Sequence, residues 1–514
     1  MKLSVIKTIA GTTKGDLIFI TLIILISWIV WHGVLNQTIA GEGFYYFSPT
    51  NSFITPSGMT NIFKDFDSFP RFFTYLLENV FKGDMKPYMT AQFIIIILLN
   101  VMIYISLKKI TGKSWLAFIA ALYFGTNYTA NFQLYARGHF QWFTQRVPEF
   151  FPILISMIFL SKFIDTKKVT YYFLSLPFFT LAILMTHYTT LFLPFFASFI
   201  LISSLLKKGS DFKKSIILSL PFVIINYLIV SNSTLGLDVI RPKQTLLEAL
   251  LQNKDVLSKI SFQLVVATIP FNLLQFIQTI SKVSYIQIIP TLYLPIYLFY
   301  FSIGFFLYKK RFSYLNLVVA AFLGLIGALF LNIFLGRINV YNEIEQGRYY
   351  YIPKLYLAII ISSFIYSLLL NMSKRLLLLK YCFIILLIFL YVTANTQFIW
   401  TKMKDSQRFY TGGNLMLNKL SQVKDTLPVD SIIMLPNPLM PLGIDFLKKY
   451  YKGHDIQYLF IDSKWKTKIP EGFDLNKFYV FDYSEEFNRG GNARLEFISV
   501  VDKSSEYRKL FLAK

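Results

Sequence analysis

The apolar runs of this chain are joined by connections that alternate in kind. Every second one is short and rich in lysine: Lys108, Lys109 and Lys113; Lys167 and Lys168; Lys207, Lys208, Lys213 and Lys214; Lys309, Lys310 and Arg311; Lys374 and Arg375. The connections between them are longer, aromatic and mixed in charge. Short basic connections stay on the cytoplasmic side of a membrane. The alternation therefore implies a chain that crosses the bilayer repeatedly and fixes its direction of travel. It also puts any chemistry on the outer face, in the loops that are not simply basic.

Apolar runs of roughly 17–25 residues suit a bilayer crossing, and about eleven such runs are expected here. They cover residues 17–35, 91–107, 115–128, 149–164, 171–185, 188–206, 215–230, 285–308, 312–335, 352–371 and 376–395. A composition that is 55% hydrophobic and 18% aromatic belongs to such a protein and not to a soluble domain. The net charge of +23 does not indicate a nucleic-acid partner, because much of the basic excess lies in the short loops that orient the spans and touch anionic lipid. The first run follows Lys2, Lys7 and Lys14. It is longer than the apolar region of a usual signal peptide, and no small-x-small cleavage site follows closely, so it reads as a retained span with the N-terminus inside. With the single cysteine, Cys382, inside an apolar run, no disulfide within the chain and no cysteine-based metal site is expected. The four histidines are spread far apart, so no metal or other cofactor is expected.

Parity places everything after Thr396 outside. There charges of both signs mix and Pro, Gly and Asn return. Residues 431–435, 477–482 and 495–501 read as strands and 444–451 as a helix. The expected architecture is thus an α-helical polytopic membrane domain, 1–398, followed by a small extracytoplasmic α/β domain, 399–514, in the plasma membrane. Two outer segments, 65–81 and 245–264, space their apolar residues like helices lying in the membrane interface.

Three outer loops hold the residues suited to chemistry. In the first, Glu42 is flanked by Gly41 and Gly43 and followed by Phe44, Tyr45, Tyr46 and Phe47. Glycines allow close backbone approach, and a carboxylate shielded by aromatics suits a general base; an ordinary interfacial acid is the plainer reading. Asp65, Asp67 and Arg71 follow in the same loop. The second loop holds Arg137, His139, Trp142 and Arg146. Its arginines suit a phosphate clamp and its tryptophan a stacking surface for a sugar or isoprenoid, while a lone interfacial histidine is more often a structural hydrogen-bonder. In the third, Arg348 stands beside Tyr349, Tyr350 and Tyr351 at the mouth of the tenth span. The tyrosines read as an aromatic belt, and Arg348 as a phosphate ligand, a snorkelling cation or a partner of Glu345.

Four stretches together resemble the GT-C superfamily of polytopic glycosyltransferases, most nearly the bacterial and archaeal relatives of the protein O-mannosyltransferases. They are Gly41-Glu42-Gly43; Phe69-Pro70-Arg71-Phe72-Phe73-Thr74-Tyr75-Leu76; the passage from Leu98 through Lys109-Ile110-Thr111-Gly112-Lys113 to Ala120-Ala121-Leu122-Tyr123-Phe124; and Gly347-Arg348-Tyr349-Tyr350-Tyr351-Ile352-Pro353. The likeness covers about residues 1–400, and each motif is degenerate. It implies sugar transfer from a polyprenyl-phosphate-linked donor to a lipid, glycan or protein acceptor. An acid of the first outer loop would act as base, and basic residues at the outer surface would hold the leaving phosphate. Glu42 takes the acid's place, with glycines where the family commonly has a second acid, so Asp65 or Asp67 stands as an alternative base or helper. Arg71, Arg137, His139, Arg146, Arg348 and Tyr349 are the corresponding candidates for donor binding. Two other classes fit the same chain: a transporter of lipid-linked saccharide or exopolysaccharide, and a structural membrane protein whose outer domain binds a partner. Spans nearly free of charge, with no repeat, favour the interfacial enzyme over the transporter.

The orientation is directly testable. On a Cys382→Ser background, single cysteines introduced into the lysine-rich turns are expected to resist a membrane-impermeant maleimide in intact cells. Cysteines in loops 37–79, 128–148 and 335–349 are expected to react; the reverse pattern would invert the topology.

Overall fold

The computed structural model describes residues 14–36, 80–82, 84–127, 149–185, 187–206, 212–232, 256–269, 271–334, 350–371, 377–435, 444–460, 478–482 and 499–502. The chain is mostly helical. Its helices are α1 (Lys14–Trp31), α2 (Met85–Thr111), α3 (Ser114–Gly125), α4 (Phe150–Thr166), α5 (Val169–Met185), α6 (Leu193–Leu205), α7 (Phe212–Asn232), α8 (Val256–Thr268), α9 (Phe271–Ser281), α10 (Tyr285–Thr291), α11 (Tyr293–Lys309), α12 (Leu315–Phe334), α13 (Tyr351–Asn371) and α14 (Leu377–Val423). Six helical stretches are long and apolar enough to cross a membrane: Gly15–Leu35, Lys86–Thr111, Phe212–Ile229, Leu315–Ile333, Tyr351–Asn371 and Tyr381–Thr401. Shorter apolar helices lie at Ser114–Gly125, Val169–Met185, Thr189–Leu205 and Val256–Thr268. This is the architecture of a multi-pass membrane protein.

The helix in the middle is α13. Two thirds (67%) of its apolar window is buried, against 22% for the windows of α7 and α14. The last two turn rows such as Ile217, Tyr227, Phe383 and Phe389 outward, as lipid-facing helices do. Against the centre, α6 and α12 approach closely. A Cβ added at Gly327 would meet the Pro194 ring at 2.5 Å, and one at Gly324 would meet Phe195 and Tyr356 at 3.0 Å. Small residues at a crossing let two backbones come close where no hydrophobic effect separates helix from lipid.

Buried polar knots tie the periphery to this centre. At the lysine-rich end Asp16, wholly buried, forms an ion pair with Lys108 and accepts hydrogen bonds from Tyr104 Oη (2.7 Å) and Ser114 Oγ (3.1 Å). One carboxylate thereby joins α1, α2 and α3. At the other end Trp31 donates from Nε1 to the Gly125 carbonyl at 2.7 Å. Nearby, Asn100 donates to Ser27 at 2.9 Å, and a Cβ on Gly125 would meet that Asn100 side chain at 2.5 Å. The Trp400 indole donates to the carbonyls of Ile29 and Val30 at 3.2 and 3.3 Å, bringing α14 to the end of α1.

The helix boundaries follow local chemistry. Asp84 caps α2, accepting from the Lys86 N–H at 3.0 Å. Gly112 ends the same helix at φ 65°, and its N–H closes onto the Lys108 carbonyl. Pro353 sits in the first turn of α13, where its missing N–H has no intrahelical acceptor to lose.

Two regions differ from the sequence expectation. Residues 245–255 lie outside the described residues. Residues 256–264 pack against protein. They belong to α8, where residues 261–267 are buried and Ser261 and Thr268 bond to Tyr297 Oη (2.8 Å) and Tyr300 Oη (2.7 Å) of α11. Packing on α11, α12 and α13 takes up the apolar face that the sequence pattern assigns to lipid. Residues 65–79 lie outside the described residues. The last apolar run does not end its helix near Asn395 either, since α14 continues for 47 residues through 398 to Val423. At 1.5 Å per residue that is about 70 Å, well beyond a bilayer's hydrocarbon core.

After α14 come β1 (Ile432–Leu435), α15 (Ile444–Tyr450), β2 (Gln457–Phe460), β3 (Phe478–Asp482) and β4 (Ser499–Asp502). The sheet order is β2-β1-β3-β4, with β1 parallel to both neighbours and β4 antiparallel to β3. Ile432, Ile433, Leu447, Ile456 and Tyr458 are buried in this unit. Burial pushes the pKa of the Tyr451 hydroxyl up, and the negative charge of Asp84 adds to the shift.

The Asp16 knot yields a stability test. Lys108→Met leaves a buried carboxylate without its counter-charge and is expected to cost about 3 kcal/mol in detergent unfolding. Asp16→Asn, which removes the charge and keeps the shape, is expected to cost less; equal costs would mean that the ion pair is incidental.

Candidate functional site

Every residue selected from the sequence for chemistry lies outside the described residues: Glu42, Asp65, Asp67, Arg71, Arg137, His139, Arg146, Arg348 and Tyr349. The helix ends that flank their loops are described. Loop 37–79 leaves the turn His32–Asn36, which packs on α2, and returns shortly before Asp84. Loop 128–148 runs from Asn127 to Glu149, and loop 335–349 from Phe334 to Tyr350. The Trp31–Gly125 and Glu149–Tyr351 hydrogen bonds bring flanks of all three loops to one end of the bundle.

At that end stands a polar group that the sequence reasoning missed. Glu149 precedes α4 and is completely buried. Its carboxylate accepts a hydrogen bond from the Tyr351 hydroxyl and a longer one, 3.4 Å, from Thr189 Oγ1, which also donates to the Ala182 carbonyl at 2.9 Å. The Tyr351 ring packs on Phe150 with centroids 5.4 Å apart. Glu149 thus joins the starts of α4 and α13 and the turn before α6. A carboxylate is favoured at a helix start, where the dipole and unsatisfied N–H groups are positive. Tyr350 and Tyr351 are therefore not members of an exposed aromatic belt: both are buried, 2% and 0% exposed, and Tyr351 spends its hydroxyl on Glu149.

One turn deeper on the same face of α13 lies Lys354, three residues after Tyr351. It too is fully buried, and its Nζ has no hydrogen-bond partner among the described residues. On α8, which packs against α13, Gln263 is fully buried with neither amide atom partnered among those residues. Beside α3, Asn127 donates to Tyr391 Oη at 2.8 Å, and Tyr391 stacks on Tyr123 at 5.1 Å. The signal for Lys354 was present in the sequence, a lysine inside an apolar run, but averaging hydropathy over a window conceals a single charge. Glu149 read as the first residue of a span.

A hollow of about 470 Å³ lies at the opposite end, lined by Ser161, Asp165, Ser203, Arg311, Tyr314 and Asn316 among others. Part of its polar lining is already paired, with Asn316 Nδ2 donating to Ser203 Oγ at 2.7 Å. Among the described residues no group of three or more His, Cys, Asp or Glu side chains is placed to hold a metal ion.

No protein-family model matches the chain, and no curated protein matches it.

The Glu149 cluster predicts a defined penalty. Tyr351→Phe keeps the ring contact with Phe150 and removes the donor, leaving a buried carboxylate short of a partner. It is expected to lower unfolding stability by about 1–3 kcal/mol. Combined with Glu149→Gln, the loss is expected to be less than the sum of the two single changes, because both act on one hydrogen bond; additive losses would mean that the hydroxyl and the carboxylate do not interact.

Proposed function

We propose that this protein is a membrane glycosyltransferase of the GT-C kind, working on the outer face with about eleven spans and an extracytoplasmic C-terminal α/β domain. It would transfer a sugar from a polyprenyl-phosphate-linked donor to an acceptor hydroxyl. The observation that carries this reading is the gathering of flanks from loops 37–79, 128–148 and 335–349 at the end of the bundle away from the lysine-rich turns. These three loops hold the acids and arginines such a reaction needs.

The acceptor oxygen attacks the anomeric carbon while the bond from that carbon to the phosphate oxygen breaks. The phosphate leaves with the electron pair, still attached to its lipid. The acceptor's proton passes to a carboxylate, Glu42 in the first instance, with Asp65 or Asp67 as alternative base or helper. Arg71, Arg137, Arg146 and Arg348 are suited to the charge that grows on the leaving phosphate, with His139 and Tyr349 beside them. A single displacement inverts the anomeric centre. The phosphate is already a good leaving group, so the reaction does not require a metal.

A second reading, a transporter for lipid-linked saccharide, draws on the lysine buried inside a span at position 354. Intramembrane charges often mark substrate pathways.

Proteoliposomes supplied with a panel of radiolabelled polyprenyl-phosphate sugars separate the two. The wild type is expected to consume one donor, and Glu42→Gln to lose on the order of a hundredfold or more in rate while remaining folded. Equal consumption by both moves the base to Asp65 or Asp67. No consumption, with lipid-linked sugar crossing the bilayer, establishes the transporter.

A further inference from the structure

We propose that Lys354 is the anchor of an internal anion site, and that the anion is a phosphate group delivered on an isoprenoid lipid. The assignment of the lipid rests on the glycosyltransferase reading; the anion site itself rests on the packing of α13.

A fully buried ammonium with no counter-charge is among the costliest groups a membrane helix can hold. Such a group either gives up its proton or is matched by an opposite charge supplied from elsewhere. Among the described residues nothing supplies one: Nζ of Lys354 has no hydrogen-bond partner. Glu149, which meets α13 through Tyr351, is held by the hydroxyls of Tyr351 and Thr189. Lys354 cannot reach water by extending along its own helix, since the residue is 0% exposed. Its position in the first turn of α13 adds the positive end of that helix's dipole to its own charge, which also favours an anion.

The second observation is Gln263. Its side chain, on a helix packed against α13, carries a buried amide donor without an acceptor among the described residues. Natural interiors rarely leave such groups unmatched. An oxyanion with several acceptor oxygens satisfies an ammonium together with other donors around it as a halide does not. A phosphate on an apolar tail is also the form in which an oxyanion can arrive from within the bilayer. Lys354 would then hold the donor's phosphate before transfer and its charge afterwards. It is a binding residue and takes no proton in the reaction.

The test uses the full-length purified protein as wild type, Lys354→Met and Lys354→Arg, each titrated with farnesyl phosphate, farnesol and inorganic phosphate. Direct binding and thermal midpoint are both read. Wild type is expected to bind farnesyl phosphate and gain stability from it, with no gain from farnesol. Lys354→Met is expected to unfold at a higher temperature than wild type when empty, because it removes an unmatched charge, and to bind farnesyl phosphate about a hundredfold more weakly. Lys354→Arg is expected to retain part of the binding. Lysine-dependent binding of inorganic phosphate as tight as that of farnesyl phosphate supports the anchor and assigns it to free phosphate. Unchanged binding by Lys354→Met overturns the anchor and leaves the glycosyltransferase reading standing. Failure of the wild type to bind either phosphate overturns both the anchor and the lipid-phosphate donor.

Discussion

The bond between Tyr351 and Glu149 holds together helices that the chain brings in from far apart, and it does so where lipid offers no solvent to a charge. A carboxylate buried at the start of α4 must find donors inside the protein. It finds them on the central helix α13 and on the turn that begins α6. The Asp16 knot applies the same constraint at the other end, matching one carboxylate with Lys108, Tyr104 and Ser114. These two matched acids fix the ends of α1–α6 and α13, and the close α6–α12 crossing at Gly327 fills the space between. Against that background Lys354 stands out, because it is the buried charge that its described neighbours leave unmatched.

The two ends differ in a way that bears on function. The lysine-rich end is closed by short turns and internal pairs. The other end gathers the flanks of three longer loops and the Glu149 cluster.

Much of the helical plan was legible in the sequence, and the reasons are physical. The expected runs 149–164, 171–185 and 352–371 fall on the helices Phe150–Thr166, Val169–Met185 and Tyr351–Asn371, of which Tyr351–Asn371 is long and apolar enough to cross a membrane. Strands expected at 431–435 and 477–482 match Ile432–Leu435 and Phe478–Asp482. β2, Gln457–Phe460, went unread: it is four residues long and follows a turn at Gly453 with φ 50°. The continuation of α14 was hidden because polar residues can remain helical outside lipid, where hydropathy no longer reports helix. For α8 the sequence pattern shows an apolar face without saying whether lipid or protein covers it. The site was less legible. Loop composition directed attention to Glu42 and the arginines, while Glu149 and Lys354, each one charge beside or within a long apolar run, carried no local pattern.

The central claim is that chemistry takes place at the end opposite the lysine-rich turns, and sidedness tests it most directly. Vesicles holding the protein in one known orientation would be given a radiolabelled polyprenyl-phosphate sugar and an acceptor peptide or glycan confined to a single face. Transfer is predicted when both are on the face of loops 37–79, 128–148 and 335–349, and none when both are on the lysine-rich face. Transfer from the lysine-rich face would contradict the account.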